Sequence, residues 1–302
     1  MAKKLLLIYN PRSGKQTITR ILAYIIEIFT KGGYDVTCHP TQCRDDCRRT
    51  VVEKAIDYDL LAVSGGDGTL NEAVNGIMES GITSPFGYIP CGSTNDFSYS
   101  LGIPIKPLRA AGAIVGGKPT PIDLGSLNGR YFTYVAGFGT LAQVSYSTTQ
   151  ESKNIFGFSA YLLNGIAALP AIKSFNISYE AGERSGSGDF ILGLISNSTQ
   201  IGGFKNLFPR DVSMSDGLFE VLLIKQPRNI KDFNTIAASL LSKSFDNECI
   251  VYFKTDKITV SSDSPLAWTL DGEIGGEHNT AEIAVHKMAV NIMTGDENES
   301  SG

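Results

Sequence analysis

The sequence predicts an α/β N-terminal domain, an open and mostly parallel sheet with helices on both faces, followed by a mainly antiparallel, β-sandwich-like second domain. Three observations predict it. Short apolar runs alternate with helical patterns over the first third, which implies strands lying parallel under helices. Beyond about residue 120 strands follow one another through turn dipeptides. A length of 302 residues also exceeds the usual size of one compact domain. The expected division is an α/β domain over 1–125 and a β-rich domain over 126–286.

The elements follow in order. Residues 4–9 form an unbroken aliphatic run and predict a buried strand. From residue 18, Ile21, Leu22, Ile25, Ile26 and Phe29 recur at helical spacing until Gly32 and Gly33 stop the helix. The unit repeats as a strand at 34–39, a helix at 44–56, a strand at 60–63, a helix at 70–78 and a strand at 86–89. In the second half, Asn128-Gly129 joins 122–127 to 131–135 in a type I′ hairpin. Further strands are expected at 175–179, 190–196, 218–225, 250–254, 257–261 and 282–287, with helices at 158–168 and 230–241. Gly186-Ser187-Gly188 reads as a hairpin tip, and the polar tail after Gly295 as a frayed end.

Composition narrows the function classes. Hydrophobic residues at 42% with 19% charged describe a globular chain. Twenty-six Lys plus Arg against thirty-one Asp plus Glu give a formal charge of −5, the wrong sign for coating nucleic acid. The longest apolar runs, 5–9, 21–29 and 219–224, fall below the ~18 residues that span a bilayer. Lys3 and Lys4 precede a run too short for a secretory leader, so the expected compartment is the cytoplasm. The cysteines Cys38, Cys43, Cys47, Cys91 and Cys249 are an odd set that suits reduced thiols. Cys38, His39, Cys43 and Cys47 lie close enough to raise a metal site, against the plainer reading of thiols on a surface helix.

The sharpest motif is Ser64-Gly65-Gly66-Asp67-Gly68-Thr69, between the strand at 60–63 and the helix that follows. Glycines let a backbone approach a polyanion, and the free N–H groups of the next helix offer donors. Asp67 repels phosphate by charge, so it orients the loop, meets ribose hydroxyls or acts through Mg²⁺. The same residues, taken alone, serve equally as a plain turn capped by Asp. Two neighbours favour phosphate. Asn10-Pro11-Arg12-Ser13-Gly14-Lys15 follows the first strand, and Pro90-Cys91-Gly92-Ser93-Thr94-Asn95-Asp96 follows the strand at 86–89, on the same edge of a parallel sheet. The first is not a Walker A loop, because Tyr9 stands where that motif needs glycine.

At this point the chain resembles the diacylglycerol kinase catalytic family, in particular its soluble bacterial lipid-kinase branch. The resemblance rests on 10–14, on 65–69 continuing through Leu70-Asn71-Glu72, and on 90–96. In the second half it rests on Asn197, Gly202-Gly203, Pro209, Asp216-Gly217-Leu218 and Asp271-Gly272-Glu273. It implies ATP contacts at Asn10, Pro11, Arg12, Ser13, Gly14, Thr41, Gly66, Asp67, Gly68, Thr69, Leu70, Asn71, Glu72 and Ser93. Ser93 replaces the threonine usual in the family and keeps the hydroxyl. Two departures are clearer: Tyr134 stands where many members have Asn, and Thr140-Leu141 where they have Asp after Gly139. The last strand, near 288–293, is implied to return to the first domain, so that 287–302 joins it.

Phosphoryl transfer needs the phosphates held, their charge offset, and the attacking hydroxyl aligned and deprotonated. Trp268-Thr269-Leu270-Asp271-Gly272-Glu273 ends an apolar strand in two carboxylates around a glycine. Alone this reads as an ordinary β-turn; the resemblance makes Glu273 the general base, facing the nucleotide across a cleft. It also implies Mg²⁺ held by Ser213, Asp216 and the carbonyl of Leu218, an all-oxygen set. Lys153, Lys205 and Arg210 are candidates for phosphate or headgroup contact without an assigned role. The expected function is ATP-dependent phosphorylation of a lipid hydroxyl, foremost that of diacylglycerol. A sphingoid base, another lipid alcohol, NAD, and a catalytically decayed nucleotide-binding regulator are the alternatives. The expected partners are ATP and a lipid at the membrane surface, through peripheral and transient contact; a homodimer is left open.

Overall fold

Leu5, Leu6, Leu7 and Ile8 are all fully buried, so successive side chains are covered on both faces, as in an interior strand of a covered parallel sheet. The structure, a computed structural model, describes residues 2–14, 16–93, 95–139, 173–198, 200–201, 204–205, 207–208 and 212–295. The expected helix at 158–168, Lys15, Thr94, Thr140-Leu141, Lys153, Gly202-Gly203, the side chain of Lys205, Pro209, Arg210 and the tail after Gly295 lie outside the described residues. By internal contacts the chain divides into one unit of 1–124 with 287–302 and another of 125–286.

In the first unit, β1 (Lys3–Tyr9) pairs in parallel with β2 (Tyr34–Pro40) on one side and β3 (Leu60–Gly65) on the other. β4 (Phe86–Pro90) adds in parallel to β3, and every residue of β3 and β4 is buried. The helices are α1 (Thr17–Lys31), α2 (Asp46–Lys54), α3 (Asp67–Ser80), α4 (Asp96–Ser100) and α5 (Pro107–Gly116). α1 packs on α5 and α2 on α3. Gly76 lets α2 and α3 close in, since a Cβ there would stand 2.8 Å from the Arg48 carbonyl oxygen. α4 and α5 were not among the expected elements. α5 nonetheless carries a start signal in Pro107, and it buries Ala110, Ala111 and Ile114 against the sheet, where Gly87 makes room for Ile114.

The second unit holds β6 (Arg130–Phe132), β7 (Val135–Gly139), β8 (Phe175–Ala181), β9 (Arg184–Ser196), β12 (Phe219–Lys225), β13 (Ile250–Thr255) and β14 (Lys257–Leu270). The two-residue strands β10 (Gln200–Ile201) and β11 (Phe204–Lys205) pair with each other. The helix α6 (Ile230–Ser242) starts on the Asn229 side chain, which accepts the Asp232 N–H. Pairing is antiparallel, with β9 between β7 and β12, β13 on the far side of β12, and β14 between β7 and β15 (Glu273–Thr294). Trp268, Phe138, Phe132, Phe190 and Phe219 fill the core. β5 (Lys118–Leu127) leads through Asn128 (φ 47) and Gly129 (φ 84) into β6, the positive angles of a type I′ turn.

Two expectations are corrected. Gly186-Ser187-Gly188 is not a hairpin tip: it lies inside β9, with Gly186 opposite Tyr179 and Gly188 opposite Ile177. The turn is at Gly182 (φ 59), and Gly186 is small because a Cβ there would meet the Tyr179 hydroxyl at 2.7 Å. The strands expected at 282–287 and 288–293 are one, β15 (Glu273–Thr294), whose alternation is broken by Gly276 (φ 97) and Met288 (φ 48). The end of β15 pairs in parallel with β4 at Ile292, within the first unit.

Two buried carboxylates organise the second unit. Asp271, 3% exposed, accepts four hydrogen bonds, from the Thr133 N–H (2.7 Å), the Thr133 hydroxyl (2.9 Å), the Tyr134 N–H (3.0 Å) and the Val135 N–H (3.2 Å). Glu220, 1% exposed, lies opposite Lys254 across β12 and β13, with the ammonium 3.0 Å from Oε1. The approach is an ion pair that falls short of hydrogen-bond geometry. Burial pushes the Glu220 carboxyl up to about 7, against the pull of Lys254.

Asp271→Ala leaves those buried donors without their acceptor and is expected to lower the unfolding free energy by about 3 kcal/mol in urea titration, with Asp271→Asn in between. Glu220 titrates higher folded than unfolded, so its stabilising contribution is complete below the ordinary carboxyl range and is lost as pH rises to and through about 7. Melting curves in EDTA at pH 5 and pH 8 should therefore show wild type losing more stability over that interval than Glu220→Gln.

Candidate active site

The parallel register brings four chain exits to one level. Tyr9 is opposite both Pro40 and Ser64, and Gly65 is opposite Pro90. The ladder then extends one residue into each loop: the Asn10 N–H donates to the Ser64 carbonyl (2.8 Å), the Thr41 N–H to that of Tyr9 (2.9 Å), and the Cys91 N–H to that of Gly65 (2.8 Å). The loops that begin there hold one another. The Gly66 N–H donates to Ser13 Oγ (3.2 Å) and Asn10 Nδ2 to Thr69 Oγ1 (3.3 Å). Asn10 Oδ1 accepts the Arg12 N–H (2.9 Å), curling its own loop. A Cβ on Gly14, at φ 51, would stand 2.3 Å from the Cys91 carbonyl oxygen, and one on Gly92 would stand 2.7 Å from Gly66 Cα. These glycines are where three backbones meet.

Helix α3 begins on this edge with Gly66 as its N-terminal flank, so the amides of its first turn point out of the loop. Asp67 Oδ2 accepts the Asn95 N–H (3.2 Å), while the Asn95 side chain closes on Gly92, accepting its N–H (2.9 Å) and donating to its carbonyl (3.0 Å). Asp67 thus ties the 65–69 loop to the 90–96 loop. Asn95, buried and at φ 52, is a residue to which sequence reasoning assigned no role of its own. An asparagine three residues after a glycine, just ahead of a helix, was the available signal.

The expected nucleotide residues fall into two groups. Asn10, Pro11, Arg12, Ser13, Gly14, Thr41, Gly66, Asp67, Gly68, Thr69 and Ser93 lie on the sheet edge, with Arg12 and Ser93 exposed. Leu70 and Asn71 are buried inside α3. Glu72 turns to α2: its Oε1 accepts the Asp45 N–H (2.8 Å) and its Oε2 the Cys47 N–H (3.2 Å). That carboxylate caps the start of α2 and fixes the segment between Thr41 and Cys47, where Asp46 Oδ2 also accepts the Gln42 N–H (2.8 Å). Burial raises the Glu72 carboxyl, partly offset by the two amides.

The cysteine group is dispersed. Cys47 is buried under α2, where desolvation and nearby carboxylates push its thiol well up. His39 Nε2 lies 3.0 Å from Thr50 Oγ1 and 3.4 Å from Asp46 Oδ2. Among the described residues no three His, Cys, Asp or Glu side chains are gathered to share an ion.

In the second unit, Asp271 (φ 51) and Gly272 (φ 80) form the tight turn between β14 and β15, and Glu273 is the first residue of β15, opposite Leu270. The four bonds on Asp271, with its own N–H donating to the Val135 carbonyl (2.9 Å), immobilise the residue two before Glu273. One residue beyond, the Ile274 carbonyl accepts from Arg130 Nη1 (2.6 Å). Glu273 itself is half-buried. Tyr134, the departure from the family's Asn, is 4% exposed and its carbonyl accepts the Ser196 hydroxyl (2.6 Å).

The loop ahead of β12 carries Ser213, Asp216 and Leu218. Asp216 Oδ1 accepts the Leu218 N–H (3.0 Å), Ser213 Oγ accepts the Ser215 N–H (3.2 Å), and Asp216 Oδ2 lies 4.0 Å from Lys254 Nζ. A carboxylate, a hydroxyl and a backbone carbonyl within six residues make an all-oxygen donor set, which fits a hard divalent cation.

Known proteins place the chain. The sequence profile of the diacylglycerol kinase catalytic domain matches residues 4–127. A Bacillus subtilis protein named diacylglycerol kinase is 35% identical over 277 residues, covering 91% of this chain and 91% of its own length. Its Staphylococcus epidermidis namesake is 33% identical over 279 residues, covering 92% and 88%. A crystal structure described as a diacylglycerol kinase from Bacillus anthracis shares the fold, with a TM-score of 0.76 over 98% of both chains at 23% identity. Matched by relatives 35% and 33% identical over 91% and 92% of its length, the chain belongs to the diacylglycerol kinase family.

Proposed function

We propose that this protein transfers the γ-phosphoryl group of ATP to the hydroxyl of a diacylglycerol, giving phosphatidic acid. In this reading the unit of 1–124 with 287–302 binds the nucleotide and 125–286 binds the lipid. The observation that carries it is the convergence of the 10–14, 65–69 and 90–96 loops on one sheet edge, locked by Asn10, Ser13, Asp67 and Asn95. Helices on both faces of that sheet are supported by the separate packing of α1 on α5 and of α2 on α3.

On this edge the first-turn amides of α3 and the glycine backbones donate to phosphate oxygens, and Arg12 adds a cation. Ser13, Thr41 and Ser93 offer hydroxyls. Asp67 keeps the two glycine loops in register, and Glu72 acts on the nucleotide only by holding the segment that carries Thr41. Glu273 accepts the proton of the acceptor hydroxyl as its oxygen bonds to the γ-phosphorus and the bond to the departing ADP oxygen breaks. Ser213, Asp216 and the Leu218 carbonyl would hold magnesium, which when bound supplies positive charge against the acidic oxygens of that loop. No helix of the described residues is long and apolar enough to cross a membrane, which is consistent with a lipid met at the bilayer surface by peripheral, transient contact.

Transfer of labelled γ-phosphate to dispersed diacylglycerol, sphingosine and NAD tests the acceptor. Label is expected in phosphatidic acid alone; label in either other product changes the acceptor, and no transfer to any removes the kinase reading. Glu273→Gln is expected to cut turnover by about 10²- to 10⁴-fold while leaving ATP affinity by calorimetry unchanged. Asp67→Asn is expected to weaken ATP binding by about tenfold, because the carboxylate that fixes Asn95 is lost. Proportional loss of binding and turnover in Glu273→Gln would take Glu273 out of the proton-accepting role.

A further inference from the structure

A buried tyrosine reaches the glycine motif. Tyr88 is fully buried on β4, two residues before Pro90, the register partner of Gly65, and its hydroxyl donates to the Gly65 carbonyl (3.0 Å). The Cys91 N–H donates to the same oxygen (2.8 Å). That second contact is a ladder bond that any residue except proline makes at 91, whereas the first depends on the phenol. Phe97 of α4 packs T-shaped on the Tyr88 ring, with centroids 6.1 Å apart, and so fixes where the hydroxyl points. Burial, with Asp67 and Cys91 adding to it, pushes the phenol well above its ordinary range, so it keeps its proton and remains a donor.

The carbonyl that Tyr88 holds belongs to the peptide between two glycines, and close packing restricts both. A Cβ on Gly65 would stand 2.5 Å from Thr69 Cβ, and one on Gly66 3.3 Å from Gly92 Cα. Without side chains on either flank the torsions around this peptide are soft, so its plane is set by what its carbonyl and N–H bind. In a planar trans peptide those two groups point in opposite directions. With the Gly65 carbonyl held by Tyr88 and Cys91, the Gly66 N–H turns the other way and donates to Ser13 Oγ (3.2 Å). A serine hydroxyl that accepts such a bond still has its own hydrogen to donate. We propose that Tyr88 is a positioning residue for nucleotide binding: through the Gly65–Gly66 peptide it orients the Ser13 hydroxyl, which donates to a phosphate oxygen. This rests on the reading of 10–14 and 65–69 as loops that bind ATP.

Calorimetric titration of ATP into the purified full chain tests this as a double-mutant cycle. Tyr88→Phe keeps the ring against Phe97 and removes only the hydroxyl; it is expected to weaken ATP binding about three- to tenfold. In a Ser13→Ala background the hydroxyl that Tyr88 orients is absent, and the same change is expected to weaken binding by less than about twofold. If Tyr88 only supported packing, its loss would have the same effect in both backgrounds, and that result overturns the proposal, as does unchanged affinity in Tyr88→Phe. In the wild type the amide resonance of Gly66 is expected to move when ATP is added, and a resonance that stays in place overturns the proposal without any variant. A wild-type chain that binds no ATP overturns the nucleotide reading itself.

Discussion

The common register of β1 to β4 is the constraint on which the candidate nucleotide site depends. Because Tyr9 is level with Pro40 and Ser64, and Gly65 with Pro90, the chain leaves four strands at one height and in one direction. A slip of one strand would carry its loop about 3.3 Å along the sheet and turn its side chains to the opposite face. Neither the Gly66 to Ser13 bond nor the Asp67 to Asn95 bond would survive that displacement. The buried aliphatic interiors of β1, β3 and β4 make such slips unfavourable. The hydrophobic core thus determines loop geometry at a distance from any polar residue.

In the second unit buried charge has the corresponding role. Asp271 gathers donors from Thr133, Tyr134 and Val135, where the chain passes from β6 to β7, and its position in a type I′ turn places Glu273 at the start of the next strand. A carboxylate receiving several N–H groups is a rigid support, since each donor would otherwise be buried without an acceptor. Of the two acids in Asp-Gly-Glu, Asp271 fixes the backbone, and Glu273 is the one proposed to accept the proton. Burial separates them: Asp271 is 3% exposed, whereas Glu273 is half-buried.

Much of the first unit was readable from residues because β1, β3 and β4 are short, have buried apolar interiors and lead into glycine-bearing loops, and Asn128-Gly129 announced its turn for the same local reason. The errors arose where signals span long elements. β15 runs for 22 residues, and the irregularities at Gly276 and Met288 reset the alternation, so a window of a few residues sees separate strands. Gly186 and Gly188 look like turn residues, yet the small side chain at 186 is demanded by a tyrosine ring on the neighbouring strand, which no local reading contains. The direction of a site side chain is likewise set by neighbours outside its motif. The motif places Glu72 beside the phosphate loop in sequence, but one helical turn directs its carboxylate to the amides of α2.

A chain of net charge −5 that binds a nucleotide polyphosphate must find its positive potential locally. Among the described residues of the three glycine-bearing loops the only cationic side chain is Arg12. The remaining attraction in the proposed site comes from backbone N–H groups at the start of α3 and in the glycine turns, whose partial charges are fixed in direction by the fold. Such donors act only over a short range and only when correctly aimed, which makes backbone position the critical quantity. That explains why so many side chains here bond to neighbouring loops: Asn10, Ser13, Asp67 and Asn95 all spend hydrogen bonds on aligning the backbone. In the proposed site the acidic Asp67 serves the same end, since its Oδ2 holds the Asn95 N–H and so ties the two glycine loops together.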